Sequence, residues 1–177
     1  MAGHNKWKQI KHKKAVEDAK KSREFSKCAR HITLESKKTL GDARSPSLRS
    51  AVEHARAINM PNANIERAIK RGLEKNSLTL EEVVYEGYGP GGSALVVYGL
   101  TDNKNRTSQE IKHLLSERGG TFSGVGTASW MFTRKGNVWA PLETLELEPD
   151  DKEKLETLVQ ALEEHEDVQK VYSNASE

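Results

Sequence analysis

The chain has one cysteine, Cys28, among its 177 residues. The chain can therefore form no internal disulfide, and a single thiol makes a cysteine-based metal site improbable. No apolar run approaches the roughly 20 residues that a membrane helix requires. The opening Met1–Trp7 also lacks the apolar stretch of a signal peptide. We therefore expect a cytoplasmic protein that does not use a membrane as a partner.

Charge is abundant but unevenly distributed along the chain. Residues 1–75 contain 19 Lys and Arg against 8 Asp and Glu, a net charge of +11. Residues 76–177 contain 9 against 18, a net charge of −9. The overall charge of +2 therefore hides a basic first part and an acidic second part. Such asymmetry indicates a polyanionic partner, and nucleic acid is the first candidate.

The basic part predicts a small helical domain. No Pro or Gly interrupts residues 13–38, which we expect to form one long helix behind an N-terminal arm. On an ideal helix its apolar residues share one side, and cations lie on the opposite side. The apolar side comprises Phe25, Cys28, Ala29 and Ile32. Residues 47–59 and a segment with Pro61 in its first turn predict two further helices. We expect the domain to span residues 1–75, followed by a linker at 76–82.

Residues 83–177 predict an α+β domain. Two β-type runs, 83–85 and 94–100, flank a glycine-rich turn. Helical periodicity follows at 106–118 and 150–165. Further strand-like runs are 128–133, 137–140, 142–147 and 168–172. We interpret the order as β-α-β-β-α-β, a ferredoxin-like antiparallel sheet with helices on one face.

The strongest candidate for chemistry is the cationic block at the N-terminus. Its side chains are suited to neutralising phosphates. We expect them to recognise mainly the backbone and shape of the nucleic acid, with little sequence preference. The candidate contacts are Lys6, Lys8, Lys11, His12, Lys13, Lys14, Lys20, Arg23, Lys27 and Arg30, with Arg67, Lys70 and Arg71 widening the patch. Trp7 is suited to stacking on a base or anchoring the arm. The alternative interpretation is a solvated helix without a nucleic-acid partner.

The segment Tyr85–Gly92 resembles a phosphate-binding loop only in its glycine content. It lacks the Gly-Lys-Ser/Thr ending of a P-loop and does not lead directly into a helix. A structural turn is therefore the favoured interpretation. Tyr88 and Pro90, if exposed, would form a possible contact loop.

Enzymatic interpretations find little support. The six histidines are dispersed, with no pair at metal-binding spacing, so we expect neither a metal, a cofactor nor a small-molecule substrate. Cys28 lies on the apolar side of its helix, which favours a buried thiol. Four carboxylates are expected to be solvated rather than paired for acid–base catalysis. They are Glu81, Glu82, Glu86 and Asp102. The acidic stretch 143–167 is interpreted as a hydrated face, with contact to the basic domain as the alternative.

Several motifs in register resemble those of the YebC family and span nearly the whole chain. They are AGHNKW at residues 2–7, IKHKK at 10–14, RAIKRG at 67–72, YEGYGPGG at 85–92, NRT at 105–107, GG at 119–120 and HEDVQKVYSN at 165–174. The resemblance implies a helical N-terminal domain, α+β domains and a nucleic-acid-associated regulator. Bacterial members are described as DNA-binding transcriptional regulators. Mitochondrial relatives are translational activators, and a ribosome-associated role in synthesis through proline-rich stretches is also assigned to the family.

The chain departs from the family pattern at one place. Members carry a further domain between the segments that correspond to residues 137–140 and 142–147. Here Pro141 joins these segments directly. The resemblance implies DNA, or ribosomal RNA within the ribosome, as the partner. We do not expect this chain to have functions that depend on the inserted domain. A protein-interaction adaptor is the alternative from another class.

Overall fold

The structure, a computed structural model, describes residues 3–75 and 79–176, with side chains except those of residues 3–10 and 12. The chain divides into two compact units, Met1–Ser77 and Leu78–Glu177. None of the helices within the described residues is both long and apolar enough to cross a membrane.

The first unit consists of three helices. They are α1 (Gly3–Lys38), α2 (Pro46–Ala57) and α3 (Asn62–Leu73). Helix α1 begins ten residues earlier than predicted, so the expected extended arm is wrong. Residues 3–12 contain three Lys and one Gln, which favour helix, and no Pro or further Gly interrupts them. Pro61 is the residue that precedes α3 rather than part of its first turn.

The core of this unit lies where α1 crosses α2 and α3. Cys28 and Ile32 are buried, and Phe25 and Ala29 pack beside them, which confirms the predicted apolar side. The helices approach closely because small residues line the contact. A Cβ on Gly72 would lie 2.6 Å from the backbone oxygen of Thr33. The Thr33 hydroxyl also donates to the Ala68 carbonyl at 3.1 Å, which ties α1 to α3.

The second unit is α+β, as predicted, and its main sheet is antiparallel. Its helices are α4 (Lys104–Glu117) and α5 (Pro149–Glu164). Its strands are β1 (Glu81–Tyr88), β2 (Ala94–Thr101), β3 (Thr121–Ser123), β4 (Phe132–Lys135), β5 (Val138–Pro141) and β6 (Val168–Ser173). The sheet order is β3-β1-β2-β6, and β4 and β5 form a separate hairpin. Along the chain β1 and β2 both precede α4, which differs from the order β-α-β-β-α-β.

The two faces of the main sheet are covered differently. Leu95 and Val97 of β2 pack against α4 and α5 in the larger core. Ala94 and Val96 point the other way and pack against the hairpin residue Phe132. Strand β2 is consequently buried along its whole length. The helices lie on one face, as predicted, and the hairpin covers the other.

Local predictions in the second unit also differ from the structure. The segment 142–147 is not a strand, because only Leu145 makes a bridge, to Ala175. Strand β1 begins at Glu81, inside the segment expected to be a linker. Part of that linker, residues 76–78, lies outside the described residues.

Candidate nucleic-acid interface

The first half of α1 stands clear of the helical core. Lys11 and every residue from Lys13 to Glu24 are exposed, and among the described side chains of α1 the first buried one is Cys28. At about 1.5 Å per residue, the part of the helix before Phe25 extends for roughly 30 Å. A segment of this kind gains little from packing in its own unit. Its described side chains face solvent.

Cations dominate the described part of this projecting segment. The exposed basic residues are Lys11, Lys13, Lys14, Lys20, Lys21 and Arg23. Three carboxylates share the segment, and they are Glu17, Asp18 and Glu24. Lys13, Lys20 and Lys27 recur at seven-residue intervals, so they form one row with steps of about 10 Å. The row places two exposed cations and the half-buried Lys27 in line along the helix.

The predicted cationic stripe weakens towards the core. Lys27 and Arg30 are half-buried, unlike the residues that precede them. Lys38, at the end of α1, forms an ion pair with the buried Glu35 at 3.1 Å. Burial by itself would raise the pKa of Glu35, but hydrogen bonds from Ser47 and Lys38 lower it. Lys38 therefore has a structural role as the ion-pair partner of Glu35.

The α3 cations lie at the other end of α1. Arg67, Lys70 and Arg71 are all exposed. Helix α3 contacts α1 near its C-terminus, where the Ser36 hydroxyl donates to the Ile69 carbonyl at 2.8 Å. On an α-helix, Ser36 lies roughly 30 Å from Lys14. The structure therefore does not bring these cations next to the N-terminal lysines.

Four predicted contacts have side chains outside the described residues. They are Lys6, Trp7, Lys8 and His12. Their backbone belongs to α1, which begins at Gly3. One exposed cation that the sequence reasoning did not include is Lys21, whose ammonium lies 5.7 Å from the centre of the Phe25 ring.

The possible contact loop at Tyr88 and Pro90 is a structural turn. Pro90 is buried, so its expected exposure is wrong. Tyr88 is half-buried against the hairpin-side core, and its hydroxyl donates to the Thr127 carbonyl. Gly91 and Gly92 both have positive φ angles, which explains the glycines of this turn without a ligand.

The cysteine and the carboxylates have structural environments. Cys28 is buried, as predicted, and burial together with the nearby Glu24 raises the pKa of its thiol to about 11. Glu86 is buried rather than solvated, which corrects the sequence prediction. Its carboxylate accepts hydrogen bonds from the backbone N–H groups of Gly126, Ala128 and Ser129 at 2.7–2.8 Å.

The fold brings His165 beside Glu110 and Asp167, which sequence spacing did not reveal. The His165 Nδ1 accepts the backbone N–H of Asp167 at 3.1 Å. The proton of the neutral ring is therefore on Nε2, which donates to Glu110 at 2.9 Å. Asp167 in turn accepts from Thr107 at 2.6 Å and from Arg106 at 2.7 Å. These hydrogen bonds join Glu110, His165 and Asp167 with Thr107 and Arg106 in one network.

Comparison with known families gives matches over both units. Residues 5–75 match the family described as "TACO1/YebC protein N-terminal domain". Residues 80–140 and 136–175 match the "TACO1/YebC second and third domain". The second match therefore has two parts that meet at β5. This strand lies next to the place where the family's inserted domain is missing from the sequence.

Similar proteins carry a common name. A "Probable transcriptional regulatory protein" of Thermosipho africanus is 48% identical over 147 residues, covering 82% of this chain but 58% of that protein. One from Caldanaerobacter subterraneus is 37% identical over 237 positions, covering 98% of each chain. That alignment is longer than this chain, so the relative contains segments that are absent here.

A solved structure also matches. The crystal structure of a conserved hypothetical protein from Aquifex aeolicus has a TM-score of 0.82 and 29% sequence identity. The match covers 90% of this chain and 91% of that one.

Proposed function

The chain belongs to the TACO1/YebC family, and from this premise we propose that it is a non-enzymatic regulator of gene expression that binds nucleic acid. The similar proteins named above are called probable transcriptional regulatory proteins, which supports a regulatory role. The observation that carries the binding step is the projecting half of α1 with its exposed cations, among which Lys13 and Lys20 begin a row that continues to the half-buried Lys27.

The physical basis is counterion release. Each lysine that replaces a condensed cation on a phosphate makes binding more favourable, and this contribution falls as salt rises. The described residues of the projecting segment supply six such cations. The projecting part of α1 is roughly 30 Å long, which is comparable with the length of one turn of duplex DNA, about 34 Å. Contacts of this kind position the protein and carry little sequence information.

DNA is the first candidate target, and ribosomal RNA within the ribosome is the alternative. Both present phosphates to a cationic helix, so charge does not discriminate between them. We expect the protein to act in the cytoplasm on one of these polymers. A protein-interaction adaptor, in which the cations serve only solubility, is the alternative from another class.

The test compares binding of the wild-type chain to duplex DNA and to ribosomes at several salt concentrations. Six phosphate contacts predict a loss of affinity of about a thousandfold between roughly 50 and 200 mM salt. Co-sedimentation with ribosomes, but no binding to duplex DNA, would assign the protein to translation. Salt-independent affinity for both, or no binding to either, would overturn the proposal and favour the adaptor.

A further inference from the structure

One segment of the acidic second unit contains no acidic residue. From Arg118 to Leu142 the sequence has no Asp or Glu, whereas both flanks are rich in them. This segment forms β3, the loop that follows it and the β4–β5 hairpin. Arg118, Arg134 and Lys135 are exposed along it. The local charge is therefore positive in a unit whose net charge is strongly negative.

Trp130 lies at the base of this hairpin, in a 3₁₀ turn that begins at Ser129. Its side chain is 66% exposed. The indole N–H donates to the Thr127 carbonyl at 3.0 Å, so the only polar atom of the ring is satisfied within the chain. What faces solvent is the apolar ring. Trp139, in contrast, is half-buried against the sheet, with the Arg134 guanidinium 5.1 Å from its ring centre.

The loop that presents Trp130 is held in place by long-range hydrogen bonds. Glu86 on β1 accepts three backbone N–H groups from residues 126–129. The Tyr88 hydroxyl donates to Thr127, and Ser123 and Thr127 share a hydroxyl–hydroxyl hydrogen bond of 2.6 Å. At the far end, the Leu142 N–H donates to the Met131 carbonyl at 2.8 Å. The exposed ring is therefore preorganised, which lowers the entropic cost of binding.

We infer that Trp130, with Arg134 and Lys135, forms a second nucleic-acid contact surface, one that binds single-stranded nucleic acid. An unpaired base stacks on the indole, and the two cations, which lie near the turn of the hairpin, meet phosphates further along the same strand. Charge complementarity selects this occupant, because residues 118–142 contain three cations and no Asp or Glu, whereas the unit as a whole is strongly acidic. Duplex bases are already stacked, so this site should discriminate against duplex. The inference rests on the proposed function only in assuming that the chain meets nucleic acid.

The test uses a fluorescein-labelled oligouridylate of about 16 nucleotides, a length within the range of single-strand sites. Trp130→Ala should weaken its binding about 5- to 150-fold, and Trp130→Phe should retain most of the affinity. Duplex binding should be unchanged in both variants. Because the ring is largely exposed, both variants should fold, and circular dichroism checks this.

A direct readout is the tryptophan fluorescence of the protein. Unlabelled oligouridylate should quench part of the emission of the wild-type chain, and that part should be missing in Trp130→Phe. Equal affinity of Trp130→Ala and wild type, or equal quenching of Trp130→Phe and wild type, would overturn the inference. Conversion of a dimer to a monomer by Trp130→Ala in analytical ultracentrifugation would also overturn it, since the surface would then join copies of the chain.

The proposed Trp130 site and the proposed α1 interface can be tested independently. Replacing Lys11, Lys13 and Lys14 by Gln should weaken duplex binding and leave the Trp130-dependent quenching in place. If duplex binding depends on these lysines and the Trp130 variants bind oligouridylate normally, only the second site is wrong. If the reverse holds, the inference stands and the role of α1 is wrong.

Discussion

Gly72 of α3 lies against the backbone oxygen of Thr33 in α1, so close that a Cβ at this position would be only 2.6 Å from that oxygen. The glycine is buried in the last turns of its helix, with an ordinary helical backbone. It is there for close approach and not for conformational freedom. The contact fixes where the cations of α3 lie relative to the long helix.

Gly72→Ala should therefore destabilise the first unit. In an exposed helix the same change would stabilise by roughly 0.5–1 kcal/mol. Here the clash with backbone forces the helices apart, and we expect a net loss of about 1–3 kcal/mol in the free energy of unfolding. Urea denaturation followed by circular dichroism measures it. The matched control is Arg71→Ala on the exposed side of α3, which should change little; a more stable Gly72→Ala would contradict the packing.

Leu40→Gly should stabilise the same unit. Leu40 follows α1 with a φ of +53°, a left-handed conformation that is unfavourable for a leucine. Its side chain is 86% exposed, so burial does not offset this cost in free energy. We expect the free energy of unfolding to rise by about 0.5–1 kcal/mol. Asn59 also has a positive φ, of 60°, but asparagine tolerates it. Asn59→Gly is therefore the control and should gain less. A loss of stability in Leu40→Gly would show that the leucine has a packing role.

Glu86→Gln should loosen the loop that carries Trp130. The amide can no longer accept all three backbone N–H groups, and we expect a loss of about 1.5–3 kcal/mol. Burial by itself would raise the pKa of Glu86, but the three backbone hydrogen bonds lower it. The unfolded chain thus binds the proton more tightly, and the stability due to Glu86 is lost as pH falls through the folded-state pKa.

The pH dependence of unfolding tests this assignment. Wild-type stability should fall below about pH 4.3, the usual value for glutamate, more steeply than that of Glu86→Gln. Glu82→Gln, a half-buried neighbour on β1, is the control. Parallel stability–pH curves for wild type and Glu86→Gln would contradict the role given to the carboxylate.

Cys28 should be unreactive in the folded chain. With a pKa of about 11, only about one thiol in a thousand is ionised at pH 8, and burial hides the sulfur. Labelling with Ellman's reagent should be negligible in buffer and rapid in urea. Its rate should follow the population of unfolded protein. Fast labelling of the native chain would contradict the buried environment.

Helical periodicity predicted the first unit well, because the apolar residues Phe25, Cys28, Ala29 and Ile32 can share a face only on a helix. The start of α1 was missed because residues 3–12 contain only two apolar residues, Trp7 and Ile10, which is too few for a periodic pattern. In the second unit, the alternation at 142–147 predicted a strand. Only the bridge of Leu145 to Ala175 forms, since pairing depends on the edge that the fold presents.

The environment of Trp130 could not be predicted from local sequence. The segment 128–133 was expected to be a strand, but Ser129–Met131 forms a 3₁₀ turn. The reason is Glu86, which lies about 40 residues earlier and captures the backbone N–H groups of the loop. The local signal that was present is the absence of carboxylates from Arg118 to Leu142. Similarly, the Glu110–His165 contact joins residues 55 positions apart.

The salt dependence of duplex binding tests the role of α1 most directly. The variant carries Lys11→Gln, Lys13→Gln and Lys14→Gln, which preserve helix propensity. Its charge-matched control carries Lys112→Gln, Lys154→Gln and Lys170→Gln, all exposed in the second unit. We predict that the log–log slope flattens by up to about 2.7 in the first variant and stays at the wild-type value in the control. Equal slopes for both variants and the wild type would contradict an α1 interface with nucleic acid.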